Sequence, residues 1–114
     1  MAMLAMAAPI LPGKLDQWQE MKAQMMGPRR DAYEASRRRI GVQEQSFLQR
    51  TPNGDLVILV FEGSDPAGTM AKMAGSKDPF DEWMSQQAQE IHGIDLQHID
   101  RMPAPEPGPS TGRG

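Results

Sequence analysis

Leu56-Val57-Ile58-Leu59-Val60-Phe61 is apolar at every position. A strand apolar at both parities belongs in the middle of a sheet whose two faces are both covered. Just upstream, Thr51-Pro52-Asn53-Gly54-Asp55 contains Asn-Gly, the pair that accepts the positive backbone angles of a tight hairpin turn. Val42 to Arg50 therefore reads as the partner strand and Leu56 to Glu62 as the return strand. The N-terminal run Met1 to Ala8 is also apolar at both parities and reads as a third strand covered on both sides.

Between the first strand and the hairpin, the spacing predicts one long helix from Lys14. Leu15, Trp18, Met21, Met25, Ala32 and Ile40 keep to a single face at the helical period. Pro28 cannot donate to the carbonyl of Gln24, so a kink or brief break is expected at Gly27-Pro28. Glu34 lies four residues from both Arg30 and Arg38, a spacing suited to ion pairs on an exposed face. Gly41 is placed to end the helix with a left-handed residue. After the hairpin, Asp65-Pro66 starts a short helix through Ala74, stopped by Gly75. Asp78-Pro79 starts another, with Phe80, Trp83, Met84, Ala88 and Ile91 on one face and Gly93 at its end. Ile94 to Met102 reads as a final strand, and Pro103 onward has no means of burying surface. The expected organisation is one domain over 1–102 and a disordered Pro/Gly-rich tail over 103–114.

The chain has 114 residues, a size suited to one domain. Aromatics are only 5% of it, whereas there are 10 methionines. Core packing therefore falls largely to Met, Ala, Leu, Ile and Val, and methionine's unbranched thioether fills irregular space. A net charge of -3 gives no electrostatic reason to expect nucleic acid as a partner. Arg37, Arg38 and Arg39 do not change this, because consecutive helical residues fan out around the axis instead of forming a stripe. The absence of cysteine removes disulfides, thiolate nucleophiles and Cys-based metal sites. It fits a reducing cytosol, and a cytoplasmic location is expected. Met1 to Leu11 lacks a basic leader region and is far too short to span a membrane.

The order of elements is β-α-β-β-α-β, the split arrangement of ferredoxin-like folds, with an antiparallel sheet. Helices cover one face of such a sheet. An apolar second face cannot be left to water, and a second copy of the chain is the simplest cover. On Pro12-Gly13-Lys14, the passage Gly41-Val42-Gln43-Glu44, and the Leu56 to Phe61 strand followed by Glu62 and Asp65-Pro66, the chain resembles the dimeric α+β barrel superfamily. It looks most like a small group that also shares Arg/Glu-rich residues in the second half of the first helix and the stretch Ser76-Lys77-Asp78-Pro79-Phe80-Asp81. The resemblance implies a homodimer of α+β fold, and it brings no activity with it, since fold alone does not choose a function. The haem proteins of the superfamily use an axial His, and its monooxygenases combine Asn, Trp and His. Here the one Asn is Asn53, in the hairpin turn, so that constellation does not carry over.

His92 and Glu44 are the candidates for acid-base work. An imidazole titrates near neutrality, and Glu44 shares parity with Val42, Ser46 and Leu48, which turns it toward the interior. A buried carboxylate is either a perturbed acid, base or ligand hook, or the partner of an arginine from the first helix, with Arg37 nearest. Tyr33, Arg37, Glu62 and Trp83 are the candidate ligand-binding residues. The spacing His92-x-x-Asp95-x-x-His98 superficially resembles a metal site, but on a strand residues three apart face opposite sides. No metal and no other cofactor is expected. The expected function is the binding of a small, mostly apolar organic molecule by a homodimer, for cofactor-free oxidation, cyclisation or isomerisation. The alternative is a non-catalytic dimeric binding or structural protein.

Overall fold

A computed structural model describes residues 2–112. Met1, at the start of the first predicted strand, and residues 113–114, at the end of the predicted tail, lie outside the described residues. The chain is a mixed α+β fold. Strand β1 spans Ala2–Pro9, β2 Val42–Thr51 and β3 Gly54–Gly63. They form one antiparallel sheet in the order β1-β3-β2. The all-apolar strand is thus central, as its composition requires. The hairpin pairs Thr51 with Gly54 at its tip, and β1 runs alongside β3 from Ala2 opposite Gly63 to Pro9 opposite Leu56.

Alternation along these strands divides their side chains cleanly. Met6 and Ala8, Val42 and Leu48, and Val57, Leu59 and Phe61 join the core beneath the helices. The opposite face carries Ala5 and Ala7, Leu56, Ile58 and Val60, and Phe47, with Gln43, Gln45 and Gln49 along β2. Phe47 is 54% exposed on that face. No core cluster of the described residues draws on it.

The predicted first helix is two helices. α1 spans Leu15–Met26 and α2 spans Arg30–Ile40. Pro28 leaves the Gln24 carbonyl without its ordinary donor, and the amide of Arg29 supplies one at 2.8 Å. The helical phase does not run through this break. Trp18 is buried on α1, but Ala32 is exposed, and the inward stripe of α2 is Tyr33, Ser36, Arg37 and Ile40. Gly41 ends α2 at φ 87°, a left-handed conformation that costs glycine no Cβ clash.

After β3 come a 3₁₀ turn at Pro66–Gly68 and helices α3 (Thr69–Gly75) and α4 (Pro79–His92). Asp78 caps α4 by accepting from the Phe80 amide at 2.9 Å, ahead of Pro79 in the first turn. The last predicted strand is not a strand. Leu96–Arg101 is 3₁₀ in character, capped by the Asp95 side chain on the Gln97 amide. Leu96 and Ile99 pack into the core from it, which frees the polar residues between them to face water. The ferredoxin-like order therefore lacks its sixth element among the described residues. Residues 103–112 contain no helix or strand and are exposed. Among the described residues no helix is long and apolar enough to cross a membrane.

Among the described residues the core consists of two clusters. One gathers Ala8, Ile40, Val42, Phe61, Met73, Ile94 and Leu96, and the other Trp18, Val57 and Ile91. Phe61 is 1% exposed at the centre of the first. Replacing Phe61 with Ala should cost about 3–5 kcal/mol of unfolding free energy, as expected for a large buried aromatic side chain, measured by urea denaturation.

Candidate functional site

Between the two core clusters lies a cavity of about 400 Å³ under the helix-covered face of the sheet. Each element contributes by its own periodicity. α1 turns in Trp18, Met21 and Met25, β2 offers Glu44, Ser46 and Leu48, and β3 supplies Val57, Leu59 and Phe61. α4 contributes Met84, Ala88 and His92, four residues apart along one stripe. Met70 and Met73 of α3 complete an apolar wall. Lys22, Met26 and Ser46, all exposed, mark the open side.

The polar end of the cavity is built on α2. Tyr33 and Arg37, one turn apart, both reach Glu44 on β2. The Arg37 Nε lies 3.1 Å from Glu44 Oε1, with both side chains buried. Tyr33 Oη donates to Glu44 Oε2 at 2.5 Å, and the Arg37 guanidinium carbon stands 4.9 Å from the centroid of the Tyr33 ring. Burial, reinforced by the Glu44 charge and the hydrogen bond to it, pushes the Tyr33 phenol well above its ordinary range. Glu44 thus faces inward, as its parity predicts, and of its two alternatives the geometry shows the partner of an arginine.

The arrangement continues behind Arg37. Its Nη1 donates to Ser36 Oγ at 2.8 Å, and Ser36 Oγ in turn donates to Asp81 Oδ1. Asp81, 1% exposed in the first turn of α4, also accepts from Ser76 Oγ at 2.6 Å and from Arg39 Nη2 at 3.1 Å. Burial alone would raise the Asp81 pKa, but the hydrogen bonds from Ser36, Ser76 and Arg39 outweigh it and hold the carboxyl below its usual range. Because the ionised Asp81 can only accept, it fixes the Ser36 hydroxyl as a donor and leaves the Ser36 oxygen to receive Arg37. Sequence reasoning missed Asp81 and Ser36. The available signal was the stretch Ser76 to Asp81, whose first and last residues are joined by that 2.6 Å bond.

No family model, curated protein or solved structure matches this chain. Its site is therefore read from its own geometry. His92 is the last residue of α4, and the exit of β1 is stitched to it. The Leu11 amide donates to the Ile91 carbonyl at 2.8 Å, and His92 Nδ1 donates to the Pro9 carbonyl at 2.8 Å. Gly93, left-handed at φ 70°, ends the helix there. Burial lowers the His92 pKa against the opposing pull of the Pro9 carbonyl, so the ring is neutral at neutral pH and not the helix-end cation its position suggests.

The structure brings Tyr33, Arg37, Glu44 and His92 to the cavity, and it sends Glu62 and Trp83 elsewhere. Glu62 lies on the opposite face of the sheet, between Met3 and Gln43. Trp83 packs at a tilt against Phe80, with ring centroids 5.6 Å apart, and lies under Arg29, whose guanidinium carbon is 4.2 Å from its centroid. Phe80 in turn touches Tyr33, so Trp83 braces the polar end from behind. His98 pairs with Asp95 at 2.7 Å and is separate from His92. Asp95 raises the His98 pKa through this hydrogen bond and its charge. Among the described residues no group of His, Cys, Asp and Glu is assembled to hold a metal ion.

Glu44→Gln should leave the buried Arg37 without its counter-charge and cost about 3–5 kcal/mol in urea unfolding. Tyr33 is the only tyrosine in the chain, so ultraviolet difference absorbance reads its titration directly, and the substitution should bring that titration down toward the ordinary range. The folded pKa of His92 lies below the ordinary 6.5, so below 6.5 the unfolded chain binds more protons than the native one and stability falls as pH drops. His98 works in the opposite sense: its contribution is full below 6.5 and is lost as pH rises through its raised value. The loss of stability on acidification from about pH 7.5 to 5 should therefore be smaller in His92→Gln than in the wild type, by urea unfolding at each pH.

Proposed function

We propose that this protein is a cytoplasmic homodimer that binds a small, mostly apolar organic molecule in the cavity beneath its sheet. The observation that carries this reading is the cavity itself. At about 400 Å³, with an apolar lining and a few polar groups gathered at defined points, it has the size and character of a small-molecule site. The six methionines in its wall, Met21, Met25, Met26, Met70, Met73 and Met84, give it an adaptable surface.

Pairing is supported by the outer face of the sheet, where Leu56, Ile58 and Val60 are flanked by Ala5, Ala7 and Phe47. A contiguous apolar face of this kind favours association. The strand order supports the likeness to dimeric α+β barrels, since β1 and β2 run parallel on either side of β3, the split β-α-β arrangement. In this reading two sheets meet through their outer faces, while each protomer keeps its own cavity under its helices.

Binding is the primary role. Both oxygens of Glu44 are engaged by Arg37 and Tyr33, which favours a structural part for it over service as a base. Proton transfer in a cofactor-free oxidation, cyclisation or isomerisation would fall to His92, whose neutral ring borders the cavity.

Light scattering at micromolar concentration should give a dimer. Ile58→Glu, in the middle of the outer face, should give a monomer that keeps its fold, because pairing would bury two unpaired carboxylates at several kcal/mol each, roughly. A monomeric wild type would overturn the pairing. A ligand at 100 times its Kd should stabilise the native state by about 2.7 kcal/mol, so thermal denaturation against a panel of aromatic and polycyclic compounds tests the cavity. A panel without any shift would overturn the binding role.

A further inference from the structure

The polar atoms that border the cavity are almost all committed. Both Glu44 oxygens accept from within the protein, the Tyr33 hydroxyl spends its hydrogen bond on Glu44, and Arg37 is engaged with Glu44 and Ser36. Lys22 and Ser46 stand at the exposed side, and the Lys22 Nζ rests 5.8 Å from the centroid of the Trp18 ring. His92 differs. A carbonyl oxygen can only accept, so the 2.8 Å contact with Pro9 places a proton on Nδ1. In the neutral ring Nε2 then carries a lone pair, and among the described residues nothing donates to it. This atom is held by a built arrangement, because backbone at the exit of β1, Pro9 and Leu11, fixes both the imidazole tautomer and the end of α4.

An unspent acceptor at the border of an apolar chamber favours a ligand with a matching donor, which can form there a hydrogen bond that an otherwise identical ligand without a donor cannot. The walls add a second preference. Methionine sulfur makes favourable contacts with aromatic rings, and the six thioethers are joined by Trp18 and Phe61. We propose that the ligand is a phenol whose hydroxyl donates to His92 Nε2 while its ring lies among the methionines, Trp18 and Phe61. A carboxylate is a poorer match, because it brings no donor for Nε2 and would share a low-dielectric chamber with the Glu44 charge. The inference rests on the reading of the cavity as a small-molecule site.

Isothermal titration calorimetry of the full chain at neutral pH, with β-naphthol, its methyl ether and β-naphthoic acid as probes, tests it. The three share a ring system and differ in the group presented to His92. β-Naphthol should bind about ten-fold more tightly than the ether, a difference of about 1.4 kcal/mol, and the acid should bind more weakly than β-naphthol. In His92→Phe, β-naphthol should weaken to the level of the ether. Equal binding of β-naphthol and ether by the wild type would overturn the phenol while leaving the cavity as a site, and so would tightest binding by the acid. Heat from none of the three would overturn both the phenol and the cavity reading. The wild-type comparison needs no variant, so it decides the matter even where His92→Phe does not fold.

Discussion

A guanidinium and a carboxylate buried together are tolerated only when each is matched by the other and by further hydrogen bonds. The Arg37–Glu44 pair meets that condition, and much of the fold is arranged around it. It ties α2 to β2 on the covered side of the sheet. Tyr33 completes the carboxylate, Ser36 completes the guanidinium, and Asp81 brings the first turn of α4 into the same chain. Ordinary hydrophobic packing sets the helices against the sheet, but it is non-directional. The polar chain supplies the orientation that packing lacks, and it fixes the end of the cavity where α2, α4 and β2 converge.

The cavity follows from how the apolar residues are distributed. With aromatics at 5% of the chain, the space between sheet and helices is filled by a few large anchors and by flexible methionines. Phe61 organises one cluster, while Trp18 and Val57 hold the other. The volume between them is bordered by thioethers. A core with more large, rigid side chains would close the same gap.

Much of this could be read from the residues in order. Leu56 to Phe61 announced a central strand, Asn53-Gly54 the hairpin, Gly41 the end of a helix, and the parity of Glu44 its inward direction. These signals are local, set by strand alternation and by turns and caps that need particular backbone angles. What the sequence did not disclose depends on distant partners. Ile94 to Met102 reads as a strand, but Leu96 and Ile99 satisfy the core from a 3₁₀ segment. Ala32 fitted a continuous helical face only until the break at Pro28 rotated the second half toward Tyr33, Ser36, Arg37 and Ile40. Asp81 gave no sign of burial because its partners Ser36 and Arg39 lie more than forty positions away. The three arginines did fan out, with Arg37 buried, Arg38 exposed and Arg39 bridging Asp78 and Asp81.

The methionine wall also gives the cavity a chemical vulnerability. Oxidants convert a thioether into a sulfoxide, a polar and chiral group that disrupts apolar packing. The chain contains no cysteine to react first. Met26, 65% exposed at the open side, is the most accessible of the six, and Met73, at 4%, is the most protected. Oxidative damage would therefore advance inward from the mouth, turning an apolar chamber polar one residue at a time before it reached the packing that holds the sheet to its helices.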